Sequence, residues 1–299
     1  MQLGVSLPHT GALASPSFLH DFAVAADELG FGSLWGVDHM VMPHHTDSLY
    51  TLGRAPAPIA DDAVSGLLAP NYEMHTSLTF VAGVTSRIRL LSHVLVLPYR
   101  HPLLVAKQYG TLDHLSGGRV ILGVGSGHLK PEFRTLGADF EGRGRVSDEY
   151  MRAIAAAWEQ DVARFDGDTI SFRDVMVSPR VSQRPRPPFW VGGNSPAALR
   201  RAARLGEGWV PWQLGPDEFA GLAERARRLR EESGRSGHFE LVAPLGAPPQ
   251  ASADAIAAEA KRWRAAGATS FHVGVGADSL QEFLGRLAWF GAEVAPRVE

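Results

Sequence analysis

The sequence predicts one α/β domain over residues 1–299: a single (β/α)8 TIM barrel with an insertion after strand 2 and a hairpin excursion before strand 5. Three observations carry this. Short β-rich apolar runs alternate with Ala/Leu/Arg-rich amphipathic segments from one end of the chain to the other. Eight such pairs follow one another with no compositional break, flexible linker or internal repeat. Glycine-bearing strand ends are spread along the whole chain. A doubly wound open sheet, the alternative, usually carries G-x-G-x-x-G after its first strand, where this chain reads PHTGALASP.

The elements follow in order. The first strand, LGVSL (3–7), leads to a helix over 15–30. The second, GSLWGV (32–37), runs into the Pro-, Ala- and Asp-rich excursion 41–71, and a helix over 72–85 follows. Long loops after barrel strands lie on the C-terminal face, where barrels build active sites. The third strand, IRLLSHVLVL (88–97), precedes a helix over 101–115. The fourth, RVILGVG (119–125), precedes one over 145–161. Residues 162–187 form the second excursion, in which FDGDTISF predicts a hairpin around Asp-Gly. The last four strands are PFWVGG (188–193), GWVP (208–211), FELVAPLG (239–246) and SFHVGVG (270–276). Their helices cover 195–205, 216–233, 252–266 and 278–294.

Composition narrows the function. A net charge of −3 gives no basic surplus for nucleic acid or an anionic membrane surface. The absence of cysteine excludes a disulfide scaffold, a thiolate zinc site and a cysteine nucleophile. No apolar run is long enough to span a bilayer and MQLGVSLPHTG does not read as a signal peptide, so a soluble cytoplasmic protein is expected.

Three stretches bear chemistry. LWGVDHMVMPHH places Asp38, His39, His44 and His45 on the catalytic face. Successive strand residues point to opposite sides, so Asp38 and His39 share a pocket only if the strand has already ended. Their spacing matches no metal signature. His39 therefore reads as an acid/base or ring contact, and His44 and His45 as a solvated loop cluster. RVILGVGSGHL ends a strand in glycines around Ser126, which suits a phosphate or a flat ring; a tight strand-to-loop turn explains it equally well. PPFWVGGNSPAALRR ends a strand in Gly192 and Gly193, and Asn194-Ser195-Pro196 then open a helix, a good start and an anion site. His93 lies amid apolar residues, either satisfied inside the barrel or set against a bound ring. Lys107 and Arg119 read as structural or surface charges. Trp35, Trp190, Trp209 and Trp212 fall near strand ends, mostly as core or rim packing, with some walling the pocket.

Taken together, GFGSLWGVDHMVMP, TSRIRLLSHVLVLPYRHPLLVAKQYGTLDHLSGGRVILGVGSGHLKPEF and RPRPPFWVGGNSPAALRRAARLGEGW resemble the luciferase-like monooxygenase superfamily, most of all its coenzyme F420-dependent oxidoreductases. The resemblance covers about residues 1–215 in order. It implies an enzyme that binds F420, or alternatively FMN, at the C-terminal face of a barrel. Members transfer a hydride or, in the FMN monooxygenases, activate oxygen. The catalytic His of the DH motif falls on His39, with Asp38 its neighbour. A non-prolyl cis peptide behind the ring falls at His93–Val94, although relatives often have Gly where this chain has His93. Groups near the phosphate fall on Ser126, Gly127, Gly192, Gly193 and Asn194. The sugar-phosphate dehydrogenases carry a catalytic Glu directly after the fourth-strand G-x-G; this chain has His128, so sugar-phosphate oxidation is not carried over. His128 is expected beside the cofactor, as a proton donor or a pocket wall. The partners implied are a small-molecule substrate, a second copy of the chain and, for the FMN alternative, a separate reductase. No metal is expected. A non-catalytic flavin-binding protein and a metallohydrolase barrel are the competing classes.

Overall fold

The eight strands close on themselves: β1 (Gln2–Ser6), β2 (Ser33–Gly36), β3 (Arg89–Ser92), β4 (Val120–Gly125), β5 (Phe189–Gly192), β6 (Gly208–Val210), β7 (Glu240–Ala247) and β8 (Ser270–Val275). Each pairs in parallel with the next, and β8 returns to β1. The computed structural model describes residues 2–42, 49–50, 57–58 and 70–298. Within the first excursion, Leu49–Tyr50 pairs antiparallel with Ala57–Pro58. His44 and His45 lie outside the described residues.

The helices are α1 (Pro16–Glu28), α2 (Met74–Ala82), α3 (Pro102–Leu115), α4 (Lys130–Leu136), α5 (Arg143–Glu159), α6 (Pro196–Leu205), α7 (Pro216–Glu232), α8 (Ala253–Ala265) and α9 (Leu280–Trp289). Serine caps open several of them. Ser15, Ser195, Ser252 and Ser279 each accept a backbone N–H three residues on. The expected final helix is not uniform: a π turn, Phe290–Val294, follows α9 before Ala295–Val298. The wider turn lets Phe290, Val294 and Val298 all reach the core. None of the helices described is long and apolar enough to cross a membrane.

Strand alternation sorts the core into two layers. Leu34, Leu90, Val120, Phe189, Trp209 and Leu241 point outward to the helices. Their neighbours Trp35, Leu91, Ile121, Trp190, Val210 and Val242 fill the barrel. Trp35 crosses this interior. Its ring stacks on His272 at 4.4 Å and meets the edge of Trp190 at 6.0 Å. Glycine at position 4 makes the room, since a Cβ there would stand 1.9 Å from Trp35 Nε1.

The third strand carries, at His93–Val94, the interruption that the family resemblance implies. One run over 88–97 was predicted; the structure breaks it into β3 and Leu95–Val96. Leu91 pairs with Ile121 and Leu95 with Val124, so one segment advances four residues while the other advances three. The surplus is a bulge at His93–Val94, and that peptide bond is cis. The hairpin before β5 forms between Ala163–Asp166 and Ser171–Val175. Glu149 on α5 accepts the backbone N–H groups of Asp168, Thr169 and Ile170 and so holds its turn. Arg119 and Lys107 are structural: Arg119 donates to the carbonyls of Ala82, Thr85 and Ile88, and Lys107 to that of Ser178.

Two glycine substitutions test this packing with opposite signs. A Cβ on Gly123 would lie 1.9 Å from the Ser92 carbonyl oxygen. Gly123→Ala is expected to lower stability by about 1–3 kcal/mol or more in urea unfolding. Gly221, inside α7, has open space around it. Gly221→Ala is expected to raise stability by about 0.5–1 kcal/mol.

Candidate active site

Strand β2 ends at Gly36, so Val37, Asp38 and His39 are free of the ladder and all three line one cavity of about 380 Å3. The same cavity is lined by His93, Val94, Ser126, Gly127, His128, Gly192, Gly193 and Asn194. The catalytic and cofactor positions assigned from the family resemblance therefore all line one cavity.

Asp38 is held by Arg100. Both of its oxygens accept from Arg100, Oδ2 from Nη1 and Oδ1 from Nη2, each at 2.7 Å. Oδ2 also accepts the Val96 N–H at 2.8 Å. The side chain is 1% exposed. This carboxylate clamps the bulge after β3 to the end of β2.

The carboxylate on His39 belongs instead to Glu132, which the sequence reading missed. His39 Nδ1 lies 3.0 Å from Glu132 Oε2. Glu132 is fully buried and also accepts the backbone N–H groups of Met40 and Val41 and the Tyr99 hydroxyl. Burial pushes Glu132 up, but the His39 hydrogen bond and charge together with the two N–H groups outweigh it and hold it below its ordinary range. Tyr99 is pushed up by burial and by Glu132, so its O–H stays a donor. Glu132 arrives on α4, a helix not predicted. Its signals were present: Pro131 at the helix start and Gly137 at its end, with φ 70°.

The other imidazoles differ in setting: His128 is exposed, and His93 and His272 are half-buried. His128 is 6.3 Å from His39, ring to ring, and desolvation followed by the charge of His39 lowers its pKa. His93 packs edge-on against Trp35 at 4.7 Å and His272 at 4.9 Å. Burial, then His272, takes it well below the usual imidazole value.

The glycines divide by purpose. A Cβ on Gly125 or Gly192 would strike Val94, at 2.5 and 2.8 Å. These two make room for the bulge. Gly127 (φ 77°) and Gly193 (φ 113°) turn the chain. The N–H of Gly193 already donates to Val210, and the Asn194 side chain clasps Trp212, accepting its N–H at 2.9 Å and donating to its carbonyl at 2.5 Å. Asn194 thus positions a cavity wall. Among the described residues no group of three His, Asp or Glu side chains is arranged to hold a metal ion.

Fold and cavity together define a barrel oxidoreductase scaffold, and sequence comparison places it. The profile of the luciferase-like monooxygenases matches residues 1–293, and the chain belongs to that family, whose members include F420- and flavin-dependent oxidoreductases. An uncharacterised protein of Mycobacterium tuberculosis is 35% identical over 236 residues, 77% of each chain. The F420-dependent glucose-6-phosphate dehydrogenase of Kineococcus radiotolerans is 32% identical over 66% of this chain and 52% of its own. The FMNH2-dependent dimethylsulfone monooxygenase of Pseudomonas putida is 32% identical over 55% of this chain and 46% of its own. Among solved structures, the F420-dependent tetrahydromethanopterin reductase of Methanopyrus kandleri superposes with a TM-score of 0.77 at 18% identity, over 100% of this chain and 99% of that one.

The Asp38 assignment has a direct test. Asp38→Asn leaves the Arg100 guanidinium buried without its full counter-charge. A stability loss of about 3–5 kcal/mol is expected in urea unfolding. A variant of wild-type stability with an altered pH–rate profile would return Asp38 to a proton-transfer role.

Proposed function

We propose that this enzyme is a coenzyme F420-dependent oxidoreductase that transfers a hydride between the deazaflavin and a small organic substrate. The observation that carries the reading is His39, held on a buried carboxylate at the wall of the cavity. The residues present suit a flat ring: Val94 and Val96 offer an apolar wall, and His39, His128 and Ser126 offer polar groups. Similarity to an F420-dependent dehydrogenase over two thirds of the chain supports it. We assign His39, His93, Val94, Ser126, Gly127, His128, Gly192, Gly193 and Asn194 to the cofactor cavity. By family likeness we take the working unit to be a cytoplasmic homodimer.

When bound, a deazaflavin would give a hydride in its reduced form or accept one in its oxidised form, two electrons together, and its reduced form would react poorly with oxygen. The protein handles the proton. His39 Nδ1–H donates to Glu132, which fixes the tautomer and leaves Nε2 as the atom that gives or takes a proton. Glu132 stabilises the imidazolium when it forms. Tyr99 and the N–H groups of Met40 and Val41 hold Glu132 ionised and in place. His128, whose pKa is lowered by desolvation and then by the charge of His39, offers a second hydrogen-bonding ring beside it. A second reading, an FMN-dependent monooxygenase fed by a separate reductase, draws on the similarity to the dimethylsulfone enzyme.

Titration of cofactor-free protein with F420 and with FMN, followed by fluorescence quenching, separates the two. F420 is expected to bind at least about tenfold more tightly, ~1.4 kcal/mol. The reverse preference overturns hydride transfer from F420 in favour of oxygen chemistry. With F420 bound, His39→Ala is expected to lower kcat by about 10²-fold or more, with cofactor affinity changed only a few-fold. Glu132→Gln is expected to lower kcat by about 10²-fold and to move the pH–rate profile, because the imidazolium loses its counter-charge. Hydride transfer that is unchanged in His39→Ala removes the role given to His39.

A further inference from the structure

Beside the cavity, against β6, β7 and β8, lies a second compartment of about 140 Å3, which shares His93, Val210, Pro211 and Trp212 with the first. Its remaining walls include His272, Gln213, Val242 and Pro244. A dry engineered cavity of about 150 Å3 accepts a benzene, so this space suits one six-membered ring or a branched chain of similar size.

Its chemistry is selective. Among the described residues, no Asp, Glu, Lys or Arg lines it. The two imidazoles differ in how they are held. His272 Nε2 is 2.8 Å from Ser6 Oγ, and its ring lies parallel to Trp35. His93 has its ring fixed between Trp35 and His272, yet no described residue hydrogen-bonds its side chain. His93 is half-buried and its ring lines the compartment, so a group seated there can hydrogen-bond it. Burial presses His272 down to about 4 and His93 well below its ordinary value, so both are neutral near pH 7. A carboxylate or phosphate entering here would shed its hydration and meet no counter-charge; an ammonium group would meet none either. Trp212 stands at the boundary of both spaces, with its backbone clasped by Asn194.

We infer that this compartment seats the substrate as a small neutral molecule of about six or seven non-hydrogen atoms, whose single oxygen function hydrogen-bonds to His93 and His272. Charged sugars, phosphates and free acids are excluded by desolvation. The clasped Trp212 sets the size limit. This inference rests on the redox reading of the adjoining cavity, and its test is run without cofactor so that the two can fail separately.

The probes are isobutyramide and isobutyrate, equal in size, one neutral and one anionic. The full chain, cofactor-free and 15N-labelled at histidine, is titrated with each by NMR. Isobutyramide is expected to shift the imidazole signals of His93 and His272 and to bind at least tenfold more tightly than isobutyrate. His272→Phe keeps a ring on Trp35 but removes its nitrogens, and is expected to weaken isobutyramide about tenfold. Should that variant not fold, Val242→Met fills the compartment and is expected to abolish the shifts. Equal or tighter binding of isobutyrate, or no isobutyramide binding, overturns the proposal. So do shifts confined to His39 and His128. Displacement of isobutyramide by F420 or FMN assigns the space to the cofactor ring and overturns it too. Failure of both cofactors to bind leaves this titration readable. Loss of the neutral preference leaves the cofactor reading standing.

Discussion

One buried ion pair organises the catalytic end of this barrel. Asp38 and Arg100 meet through two 2.7 Å hydrogen bonds at the point where β2, the bulge after β3 and the approach to α3 converge. Arg100 also reaches Glu73 Oε1 at 3.5 Å, just before α2. A single guanidinium therefore pins residues 38 and 73, which flank the long excursion, to the segment that follows the bulge. Buried ion pairs are weak evidence for net stability, because desolvation offsets most of their attraction. What this pair supplies is geometry. It fixes Val96 by its N–H, leaves Val94 against Gly125 and Gly192, and aims the next residue, His39, at Glu132.

Much of the fold was legible in the sequence because its signals are local. The strands alternate outward and inward residues, as Leu34 and Trp35 or Leu90 and Leu91 show, and that period can be read from the chain alone. The Ser-Pro starts of α1 and α6 are local as well. The break in the third strand was not readable from its apolar pattern. The run Ile88–Leu97 looks continuous, and the bulge arises from a register difference against β4 and from a carboxylate more than fifty residues away.

The site was legible as a location more than as a set of partners. Strand ends in a barrel converge by topology, so residues near them share a cavity whatever their roles. Partners across the cavity obey no spacing rule. Asp38, adjacent to His39 in sequence, turned to Arg100, while Glu132, 93 residues from His39, became its carboxylate. The glycines show the same limit. A glycine beside a ligand and a glycine beside a packed valine look alike in sequence, and only the approach of Val94 to Gly125 and Gly192 tells them apart.

The four imidazoles around the two spaces differ chiefly in what surrounds them. His39 has an ionised carboxylate at its Nδ1. His93, His128 and His272 have desolvation as the dominant influence on their charge, and each is driven toward the neutral form. A protein that needs one proton exchanged at one place has reason to silence the neighbouring groups that could also carry it. Desolvation lowers the pKa of those three, and His39 differs from them in facing a buried glutamate anchored to the backbone of residues 40 and 41. His93 and His272 line a compartment that no acidic or basic side chain among the described residues enters. A wall without counter-charge offers nothing to offset the desolvation of an ion.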